Sequence, residues 1–144
     1  MIIVSKCPYR VSLLGGGSDL DWFVEKEDYG ISLGYPFKKH SYIVINKLEN
    51  IAKEGILNYS SKETYKTISE IAHPIIKATL QYFDIHEFME ISSFGFASGG
   101  SGLGGSSSFL IALINGLSKI KPKSININKI ANYACDIEIN KLKK

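Results

Sequence analysis

The sequence predicts an α+β domain, with helices packed on one face of a mostly antiparallel sheet. Two observations predict it. Extended, β-branched runs fill the first part of the chain, while helical periodicity governs its end. The order of patterns is strands, one helix, one strand, then two helices, which suits helices gathered on one side of a sheet.

Each element has its own signal. Ile2 to Leu14 alternates β-branched and apolar residues with polar ones, although Pro8 interrupts it early. Gly15-Gly16-Gly17 forces a turn. Asp19 to Lys26 reads as a short helix capped by Ser18 or Asp19, with Leu20, Phe23 and Val24 on one face. Gly30 to Phe37 and Ser41 to Leu48 read as two strands joined by a short link. Ile56 to Thr67 reads as a weaker strand or hairpin rich in Tyr and Thr. His73-Pro74 opens a helix, because proline at the first helical position gives up an N–H that would be unpaired anyway. Ile75, Ile76, Thr79, Leu80 and Phe83 line one face of it. Phe88 to Phe94 is a strand. The next helix buries Phe109, Leu110, Leu113, Ile114 and Leu117, and Pro122 ends it. A last helix starts near Asn126 or Asn128, with Ile127, Ile130, Ala131, Ala134 and Ile137 inward.

Between the last strand and the helix after it lies Gly99-Gly100-Ser101-Gly102-Leu103-Gly104-Gly105-Ser106-Ser107-Ser108. Glycines let backbone N–H groups turn toward one point. The helix that follows adds unpaired N–H groups and the positive end of its dipole. Together they form a cradle for an anion, and the phosphates of a nucleotide suit it. A flexible linker and a ligand-free turn are the competing readings. Apolar structure against both ends weighs against the linker, and the three successive hydroxyls weigh against the bare turn.

Composition narrows the function classes. The 144 residues suffice for one domain with a core, and no apolar run is long enough to cross a bilayer. The N-terminus turns polar too quickly for a secretory signal. Two cysteines, Cys7 and Cys135, suggest no disulfide framework but two small core residues in a reducing cytoplasm. The net charge of +3 comes without a basic stripe, so neither nucleic acid nor a membrane is the expected partner. His40, His73 and His86 lack ligand-like spacing and read as non-catalytic.

A second dense segment is Pro8-Tyr9-Arg10 through Gly15-Gly16-Gly17-Ser18-Asp19. Paired with Gly102-Leu103-Gly104-Gly105-Ser106-Ser107, it resembles the GHMP family of small-molecule kinases over the whole chain. The triple glycine followed by Ser-Asp, His73-Pro74-Ile75-Ile76, and Ala134-Cys135-Asp136-Ile137-Glu138 are most similar to the bacterial heptose 7-phosphate kinases. The resemblance implies the family's N-terminal fold, which is like ribosomal protein S5 domain 2. It also implies ATP and Mg²⁺ as cofactors and a sugar or sugar phosphate as substrate. The backbone of Gly100, Ser101, Gly102, Leu103, Gly104, Gly105, Ser106 and Ser107 would hold ATP phosphates. Ser106 and Glu138 would bind Mg²⁺. Arg10 would lie near the transferred phosphoryl group, and Gly16, Gly17, Ser18 and Asp19 would contact the sugar.

The sequence departs from that pattern in two places. Gly105 stands where the family has the first serine of a Ser-Ser pair, which removes a hydroxyl but keeps the backbone donors. The family's catalytic Asp, expected shortly after Glu138, and its C-terminal domain are absent from this chain. The expectation is therefore the N-terminal half of a sugar kinase, inactive alone. The missing domain predicts an exposed apolar face that would favour a homo-oligomer, or a separate chain supplying the C-terminal half. A nucleotide-binding pseudo-kinase fragment and a non-enzymatic S5-like binding module remain alternatives.

Overall fold

The computed structural model describes residues 1–18, 20–48, 52–95 and 101–143. The strands are β1 (Ile2–Leu14), β2 (Leu33–Lys47), β3 (Gly55–Asn58), β4 (Lys62–Tyr65) and β5 (Met89–Phe94). They form one sheet in the order β1-β2-β5-β3-β4. The pairs β1/β2, β2/β5 and β3/β4 are antiparallel, and β3 lies parallel to β5. The helices are α1 (Asp21–Glu27), α2 (Pro74–Tyr82), α3 (Gly105–Ile120) and α4 (Ile130–Asp136). A π turn, Ile137–Lys141, continues α4. The α+β class read from the sequence is the observed one.

Alternation along the strands sets which face is covered. In β1, Ser5 and Tyr9 are buried, whereas Val4, Lys6, Pro8 and Arg10 are exposed. Ile43 and Ile45 of β2, Leu57 of β3 and Ile91 of β5 meet Leu110, Leu113, Ile114 and Leu117 of α3 and Ile76 and Leu80 of α2 in one core, none above 1% exposed. α2 begins as the His-Pro signal says. His73 Nδ1 accepts the Ile76 N–H at 3.3 Å, and Pro74 is the first helical residue.

Several local expectations are corrected. The two expected strands, Gly30 to Phe37 and Ser41 to Leu48, are one long strand, β2, which runs from Leu33 to Lys47 and leaves out Gly30 to Ser32 and Leu48. The polar Lys38-Lys39-His40 link stays extended because it pairs with β1 across an irregularity between Pro8 and Arg10. α1 forms but buries no residue. Leu20 stands at its cap without a side-chain hydrogen bond, so Ser18 does not cap it. Ile127 and Ala131 point outward, because Ile127–Lys129 is a 3₁₀ turn and shifts the helical phase. Phe109 is half-buried. Cys135 is exposed, and Cys7 is half-buried with its thiol pKa raised by desolvation.

Candidate active site

The glycine-rich segment enters α3 beside β1. The Arg10 N–H donates to Leu103 O at 3.1 Å, and Arg10 Nη1 donates to Gly102 O at 3.4 Å. Two residues before Arg10 in β1, Pro8 O accepts from Ser108 Oγ at 2.9 Å. Gly104 sits between these ties with φ +69°, and a Cβ there would lie 3.2 Å from the Arg10 Cζ. Both the left-handed backbone and the guanidinium therefore call for glycine. The first helical bond runs from Ser108 N–H to Gly104 O. The N–H groups of the turn before it have no acceptor within the helix and carry the positive end of its dipole.

Glu138 meets that helix start from the C-terminal end of the chain. Ser107 Oγ donates to its carboxylate, 3.0 Å from Oε1 and 3.2 Å from Oε2, and Ser106 Oγ lies 3.5 Å from Oε1. One carboxylate and two hydroxyls form a set of hard oxygen donors at the N-terminus of α3. That suits Mg²⁺, which is usually held by one or two carboxylates together with substrate phosphates. Among the described residues no group of three or more His, Cys, Asp or Glu could hold a metal.

A cleft of about 460 Å³ opens next to Gly105 and Ser106, with Tyr9, Tyr59, His73, Phe94 and Phe109 in its walls. The His73 ring stacks on Phe109 with centroids 5.1 Å apart, and Tyr59 meets His73 edge-on at 4.6 Å. Glu63 fixes this wall: it accepts from the backbone N–H of Ala72 at 2.8 Å and of His73 at 3.2 Å, and from the Tyr59 hydroxyl at 3.2 Å. Sequence reasoning missed Tyr59 and Glu63 altogether. His73-Pro74 was legible as a helix start and as part of the family resemblance, but not as a wall of this cleft.

A sequence profile for the GHMP kinases N terminal domain matches residues 66–144. The chain belongs to the GHMP kinase family. No curated protein matches its sequence. Solved structures match by fold. A D-glycero-D-manno-heptose 1-phosphate kinase from Bacteriodes thetaiotaomicron superimposes with a TM-score of 0.84 at 21% identity, over 99% of this chain and 49% of that one. The Methanococcus jannaschii mevalonate kinase gives 0.72 at 20% identity, over 100% of this chain and 48% of that one. Lactococcus lactis galactokinase complexed with galactose gives 0.76 at 13% identity, over 96% and 38%. The GHMP domain described here thus spans about half the length of the structures it matches or less. At these identities the likeness shows the fold.

The second glycine turn of this GHMP domain closes a loop from β1 to β2. Gly15 has φ +77°, and a Cβ there would overlap Ile31 O at 1.9 Å. Ser18 Oγ lies 2.8 Å from both Gly15 O and Ile31 O, which ties the loop shut. Gly16 and Gly17 form the turn between them. Asp19 and Gly100, both singled out in the sequence, lie outside the described residues. Arg10, Gly102, Leu103, Gly104, Ser106, Ser107 and Glu138 are brought together at one end of α3. Around the loop, Trp22 is 62% exposed and Ile31 71%. No helix among the described residues is long and apolar enough to cross a membrane.

Proposed function

We propose that this domain is the ATP-binding half of a GHMP-type kinase that phosphorylates a sugar or sugar phosphate, heptose 7-phosphate being the favoured substrate. The observation that carries the reading is the convergence of Arg10, the loop backbone, Ser106, Ser107 and Glu138 at the α3 N-terminus, beside an aromatic cleft. The loop N–H groups, from Gly100 to Ser107, hold the phosphates. The cleft walls take the base, since flat rings stack on other flat rings. Arg10 spreads positive charge over the phosphoryl oxygens in a fixed fork.

Ser106 and Glu138 hold Mg²⁺, which supplies charge neutralisation at the phosphate oxygens. Ser107 orients the Glu138 carboxylate. On the substrate side, Gly16, Gly17, Ser18 and Asp19 contact the sugar. The Ser18 hydrogen goes to a backbone carbonyl, so its oxygen still has lone pairs to accept from a sugar hydroxyl. The reading assigns no general base to this chain. A positioned base is worth about 10²–10⁴ in rate, so the domain alone turns over little. The C-terminal half comes from the same polypeptide or from a second chain, and the protein works in the cytoplasm.

Two assays test this. Equilibrium titration of the chain with a fluorescent ATP analogue is expected to give saturable binding that unlabelled ATP competes away. Phosphoryl transfer from ATP to a panel of sugar phosphates is expected once a GHMP C-terminal half is supplied. Nucleotide binding without transfer to any sugar would favour a pseudo-kinase. No nucleotide binding would end the reading.

A further inference from the structure

We propose that Tyr82, Asp136 and Asn140 are positioning residues that aim Glu138 at the α3 N-terminus, an inference that rests on Glu138 being a metal ligand. Glu138 lies in the π turn, where the Leu142 N–H reaches back to Ile137 O at 3.0 Å. A π turn is rare and inserts an extra residue into the helix, so the side chains that follow lose their α-helical phase; such turns occur often at functional sites. Something must hold the wider turn in place.

Asp136 does so from just before it. Its Oδ2 accepts the Tyr82 hydroxyl at 2.5 Å, and its Oδ1 accepts Asn140 Nδ2 at 2.5 Å. Residues 136 and 140 bracket Glu138, so the bond between them spans the stretch of backbone that carries it. Tyr82 anchors this clasp to α2, a different helix, and its ring packs edge-on against Phe83 and Tyr133. Ile137 fixes the inner side of the turn in the core. Glu138 itself is held in front by the Ser107 hydroxyl. A carboxylate held from behind and in front keeps its direction without the metal, as the outer partners of metal ligands do.

The test reads the gain in affinity for a fluorescent ATP analogue on adding Mg²⁺ in place of chelator, with Mn²⁺ binding by electron paramagnetic resonance as a second probe. Glu138→Gln is expected to abolish the gain. Tyr82→Phe keeps the ring and removes only the hydroxyl. It is expected to cut the gain by about 10- to 100-fold, the usual effect of losing an outer partner, while metal-free affinity stays unchanged. Asn140→Ala, at an exposed position, is expected to act in the same direction more weakly, and it decides the matter if Tyr82→Phe does not fold. If Glu138→Gln removes the gain but the folded Tyr82→Phe and Asn140→Ala proteins keep it, the clasp is only a packing contact and the positioning role is overturned. If metal-free and Mg²⁺-dependent affinity fall together, the role is likewise overturned. If Glu138→Gln leaves the gain intact, the metal assignment fails, and the positioning role fails with it.

Discussion

At the N-terminus of α3, most of the described groups proposed to act are held by others. Arg10 is tied to Gly102 and Leu103, Glu138 to Ser107, and the π turn to α2 through Asp136 and Tyr82. Residues 13–35 are built the other way. α1 buries nothing, and Leu13, Leu14, Leu20, Trp22, Tyr29, Ile31, Leu33 and Tyr35 all stand exposed. In the first region, these described groups are tied to one another by hydrogen bonds. The other carries several large apolar side chains in the open, and on the proposed reading this is the surface that a C-terminal half would cover. On that reading, the groups of the nucleotide side are tied to one another, whereas the sugar side presents exposed apolar residues.

The first way to break this comparison is to cut each region where it is most typical. Leu113→Ala, at a fully buried position beneath the sheet, is expected to lose about 2–5 kcal/mol of stability in urea unfolding. Trp22→Ala is expected to stay within about 0.5 kcal/mol, because it removes an exposed side chain. Equal losses would mean that α1 is packed in solution. Gly104→Val comes next. It forces a β-branched residue to φ +69° and crowds the Arg10 guanidinium, at a cost of about 1–3 kcal/mol, and nucleotide binding should fall further than stability does. Thermal unfolding and analogue titration on the same sample separate the two.

Trp22 sharpens the other side. It is the single tryptophan of the chain, so fluorescence reports on residues 13–35 alone. Its emission should be solvent-like and readily quenched by acrylamide in this chain. It should shift to the blue when a GHMP C-terminal half binds. Unchanged emission in a catalytically competent assembly would mean that this surface is not the one covered.

The smallest effect is a titration. The Asp136 carboxylate accepts the Tyr82 hydroxyl and, helped by desolvation, pushes its pKa up to about 12. An unfolded tyrosine titrates near about 10. The folded value lies above the unfolded one, so the contribution is whole below about pH 10 and is lost as pH climbs through the folded value. Ultraviolet tyrosinate absorbance should show two late-titrating tyrosines, Tyr82 and the desolvated Tyr65, and Asp136→Asn should bring only Tyr82 back toward the others.

Much of the fold was legible because hydrophobic period reports directly on which face meets the core. α3 and α2 keep one phase throughout, and Leu110, Leu113, Ile114, Leu117, Ile76 and Leu80 fall where that phase puts them. The end of the chain was misread because a 3₁₀ turn and a π turn flank α4. No single period survives both, and Ile127 and Ala131 were given to the wrong face. Lys38-Lys39-His40 looked like a break because polar residues usually mark loops, but strand pairing with β1 needs only backbone. The site was half legible. The glycine loop announced itself by composition. The meeting of Arg10 with Gly102, or of Tyr82 with Asp136, is a long-range contact that no local pattern encodes. The family resemblance supplied the first and nothing in the sequence supplied the second.

The most direct measurement is amide chemical-shift mapping of the chain with an ATP analogue and Mg²⁺. The account predicts perturbations gathered at Arg10, Gly102 to Ser107, Glu138 and the Tyr59–His73 wall, with those at Glu138 appearing only when the metal is added. Perturbations centred instead on the separate cleft between Ser118 and Ile127, or none at all, would contradict it.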